Sequence, residues 1–143
     1  MIQIKIPGHQ IVEVKDFGRR PTSKYDISAL LHLMKSSYKD FVEIGSWYGK
    51  TTYEIATRFP NKTIYTMDYI GKDLILDPAS NRALIENKDD LCTYAKDLDN
   101  VTFIYANSHT YDFNKFINVD FFFIDGELDD ILISAAGKIF AQV

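Results

Sequence analysis

Four short apolar runs, separated by stretches of helical periodicity, constrain this chain more than any other feature. Phe41-Val42-Glu43-Ile44, Thr63-Ile64-Tyr65-Thr66-Met67, Val101-Thr102-Phe103-Ile104-Tyr105 and the run from Val119 to Ile124 read as strands. The first is followed by a loop to Gly49 and a helix from about Lys50 that Pro60 terminates. The second ends at Asp68. After a loop containing Gly71, Asp77 and Pro78 comes a helix capped by Ser80 or Asn81, with Leu84, Leu91, Ala95 and Leu98 on one face. Past the fourth run, which stops at Asp125-Gly126, Leu128, Ile131, Leu132, Ala135, Ala136 and Ile139 mark one face of a last helix. Such alternation is that of crossover units with parallel strands, so the expected class is α/β: a Rossmann-like, three-layer open sheet, mostly parallel.

Upstream, Ile2, Ile4 and Ile6 alternate with polar residues, and Ile11, Val12 and Val14 follow a Pro7-Gly8-His9-Gln10 break, predicting an N-terminal β-hairpin. Asp26 is the expected N-cap of a helix whose Ile27, Leu30, Leu31, Met34 and Tyr38 share one face. A length of 143 residues suggests one domain. With 46% hydrophobic and 25% charged residues the composition is that of a globular protein with a real core. No apolar run approaches the ~18 residues of a membrane span, and the start lacks the pattern of a signal peptide. Cys92 is the only cysteine, which precludes an internal disulfide and a thiolate-rich metal site. A cytoplasmic location without membrane contact is expected. The net charge of −4 weakly repels phosphate backbones and makes nucleic acid an unfavoured partner.

In an open parallel sheet, ligands bind beyond the carboxyl ends of the strands. The first such end carries Glu43-Ile44-Gly45-Ser46-Trp47-Tyr48-Gly49-Lys50-Thr51-Thr52, a glycine turn leading straight into a helix N-terminus. Gly45 lets backbone approach a ligand, and the first-turn amides favour a negative or electron-rich group. Asp68 follows Gly45 at the next strand end, near the ~20-residue offset at which an acid accepts hydrogen bonds from ribose hydroxyls. Together they point to a nucleoside ligand. A dinucleotide fingerprint would need a third glycine that Gly-Ser-Trp-Tyr-Gly-Lys lacks, and a phosphate loop would need one more residue between Gly45 and Gly49.

On four segments in order, 41–52, 64–68, 100–108 and 119–126, the chain resembles the class I S-adenosylmethionine-dependent methyltransferases, particularly their small O-methyltransferase-like branch. The resemblance runs from about Ser28 to Gly126. It implies that Gly45, Ser46, Trp47, Tyr48 and Gly49 wrap the methionine part of S-adenosylmethionine, that Asp68 with neighbouring Tyr69 holds the ribose, and that Asn107 and Ser108 lie near the adenine. It further implies that Glu43 supports the glycine turn and that Asp125 faces the reacting methyl group. The cofactor's amino group, carboxylate and ribose diol need separate polar partners, and these residues supply acceptors and donors. The domain then divides into a hairpin and linker (1–25), a cofactor-binding region (26–126) and a C-terminal helix (127–143). Relatives usually have seven strands, so a shortened sheet, truncated after the fourth, is expected. The edge of so apolar a fourth strand should be covered by a partner subunit, which would make a homo-oligomer, by the hairpin, or by the last helix.

The methyl acceptor is less legible. Ile124-Asp125-Gly126-Glu127 lacks the Asp/Asn-Pro-Pro-aromatic signature of amine methylation on DNA bases, and no Pro-Cys pair exists for attack on cytosine. Asp125 alone is a weak site for a hard cation wanting about six oxygen ligands, so no metal is expected. The histidine that many relatives carry shortly after this glycine is replaced by Glu127-Leu128-Asp129-Asp130. His109 is the remaining candidate general base, although a loop histidine is more often just solvated; His9 and His32 have no motif context. Trp47 and Tyr48 either shield the cofactor or pack. Cys92, without an activating cation nearby in sequence, reads as structural, and the 86–90 charge run as a solvated helix face. The expected function is methyl transfer from S-adenosylmethionine to an oxygen or nitrogen of a small-molecule acceptor. The alternatives are a noncatalytic S-adenosylmethionine- or nucleoside-binding module and an inactive truncated remnant.

Overall fold

The computed structural model of the chain describes residues 10–16, 23–35, 39–70 and 87–125. Four strands, β1 (Asp40–Ile44), β2 (Ile64–Asp68), β3 (Val101–Tyr105) and β4 (Val119–Ile124), form one parallel sheet in the order β3-β2-β1-β4. β1 is paired on both sides and packed on both faces, as its unbroken apolar run requires: Phe41 and Val42 are both fully buried. Successive side chains alternate between faces. Phe41, Ile64 and Phe121 therefore join the core beneath the helices and Val42, Ile44 and Met67 the core of the opposite face, which Val119 also joins because the pairing of β1 with β4 shifts register between Asp40 and Phe41. Asp40 fastens the amino ends of the strands, its carboxylate accepting the Thr63 amide at 2.8 Å and the Asn118 side-chain amide at 3.1 Å.

Two helices cover the first face. In α1 (Lys24–Met34), Ile27, Leu30, Leu31 and Met34 are buried as their spacing predicts; Tyr38 lies outside the described residues. The cap is Ser23 rather than Asp26. The Ser23 hydroxyl accepts the Tyr25 amide at 3.2 Å, and Asp26 falls in the first turn, where its charge suits the positive helix end. α2 (Lys50–Arg58) ends before Pro60, and carbonyls of its last turn and of the loop that follows are gathered by one side chain. The Asn100 amide nitrogen donates to the carbonyls of Ala56, Phe59 and Lys62 at 3.0, 3.2 and 3.2 Å. Asn100→Ala should therefore cost about 1–3 kcal/mol by removing the donor that these carbonyls share, although that of Phe59 keeps the Lys62 amide at 3.0 Å. The check is a chemical-denaturation midpoint that falls at unchanged slope.

Two further expectations are corrected. Residues 10–16 form no strand among the described residues, although they were expected as the second arm of a hairpin whose first arm, like all of 1–9, lies outside them. Their backbone groups are taken by the helices instead. The Val12 amide donates to Ser28 Oγ at 2.8 Å and the Lys15 amide to Glu54 Oε1 at 2.6 Å, while Arg58, ion-paired to Glu54, donates to the Glu13 carbonyl. The predicted helix ending at Leu98 is not helical in its described part. A 3-10 turn at Lys88–Asp90 gives way to a series of turns, with Cys92 in the left-handed region at φ 54°. The Cys92 and Tyr94 amides donate not to the preceding turn but to the carbonyls of Trp47 and Tyr48, at 2.6 and 3.0 Å, so tertiary docking overrides the apolar period. β4 is an edge strand among the described residues, as expected of a sheet shortened after its fourth strand.

The second face is covered by residues 106–118, whose Tyr111, Phe113 and Phe116 rings pack against one another and onto Tyr65 and Phe122. The start of the third helix at Ser80 or Asn81 and the whole of the last helix, 127–143, lie outside the described residues. Among those described, no helix is long and apolar enough to cross a membrane.

Candidate functional site

Three residues of five in the turn leaving β1 have positive φ: Gly45 at 99°, Trp47 at 48° and Gly49 at 79°. Glycine meets that demand without steric cost at two of them. The turn is tied to the neighbouring strand, with the Gly45 and Ser46 amides donating to the Met67 carbonyl at 2.8 and 3.2 Å. The Gly49 amide closes the turn on the Ser46 carbonyl at 2.7 Å. Tyr53 makes its backbone bond to Gly49, so the amides of Lys50 to Thr52 precede the hydrogen-bonded ladder of α2 and form its positive end. Ser46 Oγ is buried without a hydrogen-bond partner, the single such side-chain atom among the described residues.

Asp68, at the end of β2, closes on this turn. Its Oδ2 accepts the Trp47 amide at 2.6 Å, and its Oδ1 accepts the Tyr69 amide at 2.7 Å. Burial raises its pKa above the ordinary carboxylate value, and the two amides oppose that shift. Each oxygen keeps a further lone pair for a hydroxyl donor. The Asp68 carbonyl accepts the Ala106 amide at 3.2 Å, which sets the loop after β3 beside it. There the exposed rings of Tyr69 and Tyr105 pair at 5.3 Å between centroids.

Behind the turn lies a polar cluster of which the sequence reading singled out only Glu43. Glu43, on the helix-covered face of β1, is buried, and its Oε2 accepts hydrogen bonds from the hydroxyls of Thr52 on α2 and Thr66 on β2. Thr66 is the register partner of Glu43, so the two share one face of adjacent strands. The signal available in the sequence is one polar residue at matching parity in each of two apolar runs, with a threonine in the first turn of the next helix. Cys92, also buried, hydrogen-bonds Thr52, and burial pushes its thiol up to about 12, so it stays protonated and inert.

Burial raises the Glu43 pKa from 4.5 to about 7, against the pull of the two threonine hydroxyls and with added repulsion from Asp125 and Asp68. A folded pKa above the unfolded one means the native state keeps a proton the unfolded chain has released. This contribution to stability is full below the unfolded pKa and is lost as pH rises through about 7. Stability should accordingly decline from the ordinary carboxylate range to neutrality, and Glu43→Gln should remove that part of the decline. Thermal melts of both proteins across the range check it; superimposable pH profiles would contradict it.

Asp125 is exposed at the end of β4, with its amide on the Ile44 carbonyl at 2.8 Å beside the first glycine of the turn. Asn107 spends its side-chain oxygen on the His109 amide at 2.9 Å, making a tight turn in which Asn107 and His109 are exposed and Ser108 is half-buried. Glu43, Gly45 to Gly49, Asp68, Tyr69 and Asp125 are thus gathered on adjacent strand ends. Asn107, Ser108 and His109 follow β3 at the far edge, three strand spacings or about 14 Å from β4. Among the described residues no group of three or more His, Cys, Asp or Glu side chains is arranged to hold a metal ion.

No protein-family model and no curated protein sequence matches the chain. Among solved structures it is similar to that of the SAH-bound methyltransferase PaMTH1 from Podospora anserina, at 20% identity and a TM-score of 0.47, over 74% of this chain and 42% of that one. The chain therefore spans less than half the length of that structure's chain.

Proposed function

We propose that this chain binds S-adenosylmethionine and transfers its methyl group to an oxygen or nitrogen of a small-molecule acceptor. The observation that carries this reading is the 2.6 Å bond from the Trp47 amide to Asp68 Oδ2, because it brings the glycine turn and the acid of the next crossover to one place. The ribose diol donates to the outer lone pairs of Asp68. The adenine lies along the Tyr69 and Tyr105 rings toward Asn107 and Ser108. The amino-acid end lies along Gly45 to Gly49, where Ser46 Oγ lacks a partner and the α2 N-terminus offers positive potential to a carboxylate. Asp125, beside that turn, stands nearest the transferring methyl; His109, after β3 at the opposite edge of the sheet, is too distant to serve that acceptor as a base. Transfer needs little covalent chemistry from the protein: an in-line approach of the acceptor to the sulfonium carbon, with the leaving thioether opposite, is achieved by positioning.

The test is incubation with methyl-labelled S-adenosylmethionine and a fractionated small-molecule extract. Label appearing in a low-mass product, and disappearing with Asp68→Ala, supports the reading. Binding of the cofactor without any transfer would leave a noncatalytic binding module, and absence of both would overturn it.

A further inference from the structure

The glycine turn rests on a buried hydrogen-bonded group that links four parts of the fold. Glu43 comes from β1, Thr66 from β2, Thr52 from the first turn of α2, and Cys92 from the segment docked over the turn. Both hydroxyls converge on the same oxygen, Oε2, and lie 3.3 Å from each other. That geometry favours the ionised form, since an anionic oxygen accommodates two donors more favourably than a neutral carboxyl does. Yet among the described residues every charged group facing Glu43 repels its anion: Asp68 from β2 and Asp125 from the end of β4; Cys92 contributes a neutral thiol. The hydroxyls are therefore what favours the anion in the absence of ligand, and the charge they sustain sits three residues before the orphaned Ser46 Oγ.

We propose that Thr52 and Thr66 are positioning residues that hold Glu43 as an anion behind the glycine turn, so that the cationic cofactor binds more tightly once Glu43 has released its proton. This rests on the functional reading above as far as the ligand is concerned; the hydroxyl–carboxylate part stands without it.

The experiment is a calorimetric titration of the full chain with S-adenosylmethionine between about pH 6 and 8.5 at constant ionic strength. It is paired with a ligand-free carbon-13 NMR titration of the Glu43 carboxyl. Affinity should rise several-fold across neutrality in the native sequence and be flatter in Glu43→Gln. Thr52→Val should move the midpoint of both titrations upward by about half a pH unit or more, because the anion loses a donor. Thr52→Ser should restore it. Thr66→Val should act like Thr52→Val and serves if the latter fails to fold. A midpoint unchanged by both valine substitutions, or an undiminished rise in Glu43→Gln, overturns the proposal. If S-adenosylmethionine binds at no pH, the functional reading fails and the tightening of cofactor binding falls with it. The carboxyl titration alone then decides whether the hydroxyls hold the anion.

Discussion

Asp68→Ala is expected to weaken S-adenosylmethionine binding by about 1–3 kcal/mol, or roughly 5- to 150-fold in Kd. Two losses combine. The ribose diol loses its acceptor, and the Trp47 and Tyr69 amides, held by Asp68 at 2.6 and 2.7 Å, lose the carboxylate that fixes the turn. Asp68→Asn keeps one acceptor oxygen and should fall between the alanine variant and the native chain. Calorimetric titration of the three proteins with S-adenosylmethionine decides the matter, with circular dichroism to establish that each is folded. An affinity unchanged by Asp68→Ala would remove this residue from the ligand site.

The second large effect is on the fold itself. Gly49 sits at φ 79°, and a Cβ placed there would lie 2.9 Å from Cys92 Sγ, 3.0 Å from Cys92 Cα and 3.2 Å from its carbonyl carbon. Two of these are backbone atoms that cannot rotate away. Left-handed backbone costs a residue with a Cβ roughly 1–2 kcal/mol, and forcing extra volume into a packed contact costs about 1–3 kcal/mol. Gly49→Ala should therefore destabilise by roughly 2–5 kcal/mol, lowering the melting temperature by about 5–15 °C for a domain of this size. Adding Cys92→Ala removes the sulfur but neither backbone contact, so it should recover only a minor part. A melting temperature within a degree or two of the native one would show that the segment bearing Cys92 does not press on the turn.

The sheet was legible because each strand is a short apolar run, although only β1 is buried on both faces along nearly its whole length and the edge strands β3 and β4 are mostly half-buried. Phe41 to Ile44, Val101 to Tyr105 and Val119 to Ile124 are apolar runs with few competing readings, and the strands lie there, β1 starting one residue earlier at Asp40. β2 runs one residue later than expected, taking in Asp68. The glycine turn and Asp68 were legible because a tight turn into a helix needs glycine and a strand end tolerates an acid. Less legible was anything decided by contacts distant in sequence. The apolar spacing of Leu91, Ala95 and Leu98 suits a helix, but the carbonyls of Trp47 and Tyr48 capture the amides that such a helix would use. Residues 10–16 alternate like a strand, yet Ser28 and Glu54 take their donors. Thr52 and Thr66 carry no motif, and their role emerges only when strand register and the start of α2 bring both hydroxyls to Glu43.

The central claim is that the turn after β1 and the acid ending β2 grip one adenosyl ligand. The most direct measurement is a titration of the nitrogen-15-labelled chain with S-adenosylhomocysteine, following backbone amide resonances. The account predicts that the Trp47 and Tyr69 amides, both bonded to Asp68, shift together along one saturating one-to-one curve. Saturable shifts confined to other parts of the sheet, or none at all, would contradict it.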